Sequence, residues 1–188
     1  MKSRISALMF VATLLFAALP ASADEFDDTV SIFKNAGESG SFFGKSYAYA
    51  VFPTVGKGGL GVGAAHGSGR VYEQGKYVGD VKMNQLSVGL QAGGQAFSQI
   101  IFFQDKRAFD EFTRGEYEFD ATVQAVAITA SATASAGSQG TAAGAAGGKK
   151  DATTAGKYHK GMAVFTVAKG GLMYQAAVGG QKFKYKAK

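Results

Sequence analysis

The chain has 188 residues, 46% of them apolar, with 27 glycines, two prolines and no cysteine. That size suits one domain with a substantial core, and the missing cysteines exclude disulfides, thiol catalysis, thiolate metal sites and a lipid-modified N-terminal cysteine. The net charge of +6 is unevenly spread: residues 24–148 carry nine basic and 13 acidic side chains, whereas 149–188 carry nine lysines against Asp151 alone. This asymmetry points to an anionic partner at the C-terminal end, or to a solubilising lysine edge.

Lys2 and Arg4 precede a largely apolar stretch, 5–19, and Ala21-Ser22-Ala23 forms an A-x-A cleavage signal. The pattern predicts a secretory signal peptide over 1–23, cut after Ala23, a periplasmic or secreted location, and a single domain over 24–188. Phe26, Val30 and Phe33 then form one helical stripe, with Asp24, Glu25, Asp27 and Asp28 suited to the first turn of its dipole and Lys34 to the other end. The acidic first turn disfavours docking on anionic lipid, so the helix is expected to lie on a sheet.

Residues 46–54 read as a strand, with Pro53 at its end or at a bulge. A loop or bulge is expected at 56–59, a strand at 60–65, a turn at 67–69 and a short strand at 70–73. Gln74-Gly75-Lys76 is a hairpin turn. Strands follow at 77–83, 86–91 and, as a nearly continuous apolar run, 96–103. Asp105 caps a helix whose stripe is Ala108, Phe109 and Phe112 and whose stop is Gly115. The alternation over 117–128 reads as a strand carrying Glu116, Glu118 and Asp120 on one solvated face. Residues 135–156 lack any large apolar side chain and read as a flexible loop, with 137–156 its body. Strands at 162–167, 172–178 and 181–185 close the chain. On the last, Lys182, Lys184, Lys186 and Lys188 share one face, and Phe183, Tyr185 and Ala187 the other.

Val51-Phe52-Pro53-Thr54-Val55-Gly56-Lys57-Gly58-Gly59-Leu60 is echoed by Val164-Phe165-Thr166-Val167-Ala168-Lys169-Gly170-Gly171-Leu172, and more weakly by residues 87–94. Two good copies are too few for a solenoid. They suggest related hairpins, with Lys57 and Lys169 at equivalent turns of one pseudo-symmetric face.

Little in the chain carries chemistry. Residues 56–61 satisfy G-x-G-x-x-G, but Val62-Gly63-Ala64-Ala65 follows where a dinucleotide site needs a helix, so the glycines read as structural. Gly61 and Gly63 at period two suit a strand that another backbone approaches closely. His66 and His159 lie apart beside glycines and read as surface residues. There is no G-x-S-x-G elbow and no S-x-x-K pair. The expectation is a non-enzymatic protein with no metal or cofactor. Nucleic acid would satisfy the C-terminal lysines, but an exported protein meets anionic lipid first.

The ordered blocks resemble the SYLF domain family. They comprise Ala48 and Ala50 leading into Phe52-Pro53, then Lys57-Gly58-Gly59, Gly61-Val62-Gly63, Gly67 and Gly69, residues 87–95, Phe102, Phe109 and Phe112, Asp120-Ala121 and Lys169-Gly170-Gly171-Leu172. The resemblance implies an α+β fold, with an antiparallel, barrel-like sheet of glycine-rich strands, an N-terminal helix and one short internal helix. It also implies binding of phosphoinositide or other acidic lipid. Two departures stand out: the first helix is acidic, and the lysine-rich actin-contacting segment of fungal relatives has no N-terminal match. Actin binding is therefore not carried over, and bacterial acidic phospholipid is the nearer ligand. The expected lipid-binding residues are Lys182, Lys184 and Lys186, assisted by Lys149, Lys150 and Lys157 on the loop and by Lys57 and Lys169 at the echoed turns. The alternative is a structural or protein-interaction module of the envelope whose partner is another protein.

Overall fold

The computed structural model describes residues 24–120, 123, 125–128, 157–169 and 178–188. The expected leader over 1–23, the loop at 137–156 and all but Val178 of the strand expected over 172–178 lie outside them. Two long strands dominate. β1 (Ala48–Glu73) and β2 (Lys76–Phe103) pair antiparallel from Ala48↔Phe103 to Glu73↔Lys76. They are joined at Gln74 and Gly75, whose φ values of 48° and 80° are the left-handed pair that a two-residue type I′ hairpin requires. Lys160 and Gly161, at 51° and 81°, make a second such turn between His159 and Met162.

The interruptions expected at 56–59 and 67–69 are absent: both stretches are strand. Glycine is a weak strand former by itself, but here β2 supplies a hydrogen-bonding partner along nearly the whole of β1. Register shifts at Phe52/Val55, Leu60/Val62 and Val71/Tyr72 absorb the mismatches. Pro53 falls in the first of them, as expected of a residue that cannot donate to the ladder.

The ribbon is folded in half about its glycine-rich middle. The Gln74 amide donates to the Tyr47 carbonyl at 3.2 Å, Tyr49 stacks on Tyr72 with centroids 5.0 Å apart, and the Tyr47 hydroxyl donates to Glu73. The start of β1 thus lies beside its end. A Cβ placed on Gly69 would stand 2.7 Å from the Phe52 ring, and one on Gly67 would stand 2.8 Å from Val55 Cγ2. Both glycines leave room for the other half of the same strand.

The other edge of β2 is shared by two strands. β5 (Met162–Lys169) pairs with residues 96–103 and β6 (Gln181–Ala187) with residues 79–85. β3 (Glu116–Glu118) joins β6, and β4 (Val126–Ile128) runs parallel to β5. The result is a mostly β protein built on one six-stranded sheet, and the described strands do not close into a barrel. The single strand expected over 117–128 is two short strands on different neighbours, because Phe119 turns into the core between them.

One core lies inside the folded ribbon and includes Phe52, Phe103, Phe112, Phe119 and Phe183. α3 (Lys106–Thr113) closes it with Ala108, Phe109 and Phe112, and its N-terminus is capped by Asp105 accepting from Ala108 N at 2.8 Å. A second core lies on the outer face of the ribbon. There α1 (Glu25–Asn35) and α2 (Gly37–Gly40), with Phe42 and Phe43, cover Val51, Ile100, Phe102 and Phe165. α1 buries Thr29, Val30 and Phe33, so the helix lies on the sheet as its acidic first turn implied. Arg70 fastens that turn, pairing with Asp24 and placing its guanidinium 4.1 Å from the Phe26 ring centroid. Buried Gln99 and Gln181 exchange amide hydrogen bonds of 2.9 and 3.1 Å, tying β6 to the far half of β2.

Gly69→Ala should cost about 1–3 kcal/mol, the usual penalty of overpacking, seen as a lowered urea midpoint with an unchanged slope; wild-type stability would show that the two halves of β1 separate freely. Burial pushes the Tyr49 phenol up from 10 to about 12. The folded chain therefore keeps this proton where the unfolded chain loses it, and stability should fall as pH rises from 10 towards 12. Tyr49→Phe should flatten that alkaline decline in thermal melts taken across the window.

Candidate functional site

Outside α1 and α2, one face of the sheet stays bare. Its pattern is a strict period of two: Gly63, Ala65, Gly67, Gly69 and Val71 of β1 are buried and Val62, Ala64, His66 and Ser68 are exposed, while Val81, Met83 and Gln85 of β2 are buried and Asp80, Lys82, Asn84 and Leu86 are exposed. On β6, Phe183 is buried and Lys182, Lys184 and Lys186 are exposed. Register sets these side chains in rows: Lys186 beside Asp80, Lys184 between Lys82 and Glu116, and Lys182 between Asn84 and Glu118.

The rows correct the picture of a bare basic strand. Lys182 lies 3.5 Å from Glu118, and Lys184 lies 3.5 Å from Glu116. β3 thus lays a carboxylate beside each of these ammonium groups, and the face alternates in charge. A groove of about 370 Å³ runs along this ladder, lined by both ion pairs and Asn84. His66 Nδ1 lies 2.8 Å from Asn84 Oδ1, and His66 and His159 are both exposed, as expected of surface residues.

At the ribbon's fold the same face turns apolar. Val62 is 63% and Leu86 79% exposed, far beyond what a core role allows. The ladder places Leu86 opposite Ala64, one pleat from Val62. The period of two in the sequence could have flagged this pair, but which face remains uncovered depends on where α1 packs.

Among the described residues, Lys57 and Lys169 do not join the site. Lys169 donates to Thr54 Oγ1 at 2.6 Å and lies 3.4 Å from Glu25, on the α1 side. Lys57 is opposite Gln95, and Lys169 is opposite Ala96 on the other edge of β2. Neighbouring rungs project to opposite faces, so the pseudo-symmetric lysine face is not formed. The echo fails in the same way: Phe52 enters the inner core and Phe165 the outer one, because the two copies meet β2 one residue out of step. The continuation of the second copy, 170–177, lies outside the described residues, as do Lys149 and Lys150. Lys157 is exposed, and no contact ties it to the ladder.

Two other charged pairs are committed to structure. The Arg70 guanidinium holds the Asp24 carboxyl below the usual carboxylate range, and Lys160 does the same for Asp120. Among the described residues, no group of three or more His, Cys, Asp or Glu side chains could hold a metal ion. No described helix is long and apolar enough to cross a membrane.

No family model matches the chain. Beta cell expansion factor A of Aeromonas veronii is similar to it, 28% identical over 158 residues, which cover 82% of this chain and 51% of that protein. The chain therefore spans about half the length of the curated relative it matches.

Exposed ion pairs of this kind contribute about 0–1 kcal/mol each. A double-mutant cycle of Glu118→Gln with Lys182→Gln should give a coupling below ~1 kcal/mol in urea unfolding. A larger value would mean that the ladder is structural.

Proposed function

We propose that the protein is a non-enzymatic, SYLF-like component of the bacterial envelope that associates with phospholipid surfaces. The reading rests on one observation: Val62 and Leu86 stand exposed at the ribbon's fold, on the same sheet face as Lys82, Lys184 and Lys186. An apolar tip beside ammonium groups suits the boundary between acyl chains and phosphates. Burying a leucine contributes about 1.5–3 kcal/mol, and each lysine near an anionic surface about 1 kcal/mol. The tip therefore leads and the lysines assist, since Glu116 and Glu118 offset part of their charge. The similarity to beta cell expansion factor A along most of this chain is compatible with a shared fold, and closure of the sheet into a barrel belongs to the same proposal. The N-terminal signal pattern supports export, with cleavage after Ala23.

Protein purified after expression of the full chain should float with phosphatidylglycerol or cardiolipin vesicles, and less so as salt approaches 1 M, where charges are screened beyond about 3 Å. Val62→Asp combined with Leu86→Asp should weaken partition at least about tenfold, from the lost apolar burial. Absence of flotation on every vesicle, with one envelope protein captured in stoichiometric amount, would instead establish the protein-interaction reading.

A further inference from the structure

The groove between β3 and β6 carries as many carboxylates as ammonium groups. Glu116 and Glu118 line one wall, Lys182 and Lys184 the other, and the pairs sit at 3.5 Å in successive rows. Such a site has no net attraction for a simple anion, because an ion drawn to Lys184 is repelled by Glu116. It complements a ligand that bears both charges. We propose that this groove is a binding site for a zwitterionic phospholipid headgroup of the ethanolamine type, with phosphate over β6 and the primary ammonium over β3.

Spacing favours this assignment. Neighbouring strands are separated by about 4.8 Å, and two carbons separate the phosphate ester oxygen from the nitrogen of ethanolamine. One headgroup can therefore reach across from a β6 ammonium to a β3 carboxylate. The existing ion pairs are exposed and cheap to open, so a ligand exchanges each internal partner for an equivalent one. Asn84, at the β2 side of the same row, adds an amide that can donate to a phosphate oxygen.

The groove also discriminates among ammonium groups. A primary ammonium has three N–H donors for carboxylates, whereas a quaternary one relies on aromatic faces. Tyr117 and Phe183 also line the groove, but they alternate with the charged residues along β3 and β6, and both rings pack on Phe112, with centroids 5.6 and 5.1 Å away. Ethanolamine is thereby preferred to choline.

This site deepens the membrane reading and rests on it, so the test separates the two. Protein from the full chain is floated with vesicles of fixed phosphatidylglycerol content, the remainder being phosphatidylethanolamine or phosphatidylcholine. In parallel, glycerophosphoethanolamine and glycerophosphocholine are titrated in solution while backbone amide shifts are followed. The expected result is about fivefold tighter partition to the ethanolamine vesicles, one charge contact's worth. Glu116→Gln with Glu118→Gln should abolish the preference, and ethanolamine-selective shifts should be confined to β3, β6 and Asn84. Flotation without ethanolamine preference, or a preference that survives the double glutamine variant, overturns the headgroup site and leaves membrane association standing. Shifts on β3 and β6 without flotation on any vesicle support the site with a soluble phosphoethanolamine source and overturn the membrane reading. Neither shifts nor flotation overturns both.

Discussion

The Phe52 ring lies against the backbone of Gly69, and the architecture depends on that approach. It holds the two halves of a 26-residue strand together. Because β1 doubles back, β2 must double back with it, and one hairpin becomes a folded ribbon with an inside and an outside. The inside takes Phe119, just past β3, and the phenylalanines of β6 and α3. The outside of one half takes α1 and α2, and the outside of the other half remains open. The candidate surface is the part of the ribbon that no helix reaches.

Charge follows from the same topology. β6 pairs with the half of β2 whose outer face no helix covers, so its lysines face solvent, and β3 can then reach it only along its free edge. The register Glu116↔Lys184 and Glu118↔Lys182 turns a run of lysines into a ladder of alternating sign. Composition alone suggests a basic end to the chain. Pairing makes most of that end locally balanced and leaves the exposed valine and leucine as the less ordinary feature.

Local signals were readable wherever the cause is local. The stripe and acidic first turn of α1, the Asp105 cap of α3, the Gln74-Gly75 turn and the alternation of β6 each depend on residues within a few positions. The glycine segments at 56–59 and 67–69 look like breaks in sequence because their strand character comes from a partner 12–40 positions away. The echo of Val51-Phe52 in Val164-Phe165 was visible, but its meaning was not: a one-residue offset against β2 sends the matched phenylalanines to opposite faces. Alternation along the chain puts Lys182 and Lys184 on one face and Glu116 and Glu118 on another, with nothing local to show that the two faces adjoin. Only the sheet order brings β3 to β6.

The Gln99–Gln181 amide pair bears on the order in which this protein assembles. Both side chains are buried, and each satisfies the other, so either one alone would be a stranded polar group in the core. The β1–β2 ribbon has its complete pairing before β6 is available, yet Gln99 then has no partner and Phe52 and Phe112 lack Phe183. A chain not yet extended through β6 holds an open, sticky ribbon rather than a smaller native core. The final strand thus acts as a latch, and the polar pair makes it a selective one: a segment docking one residue out of register would present Lys182 to Gln99 in place of an amide.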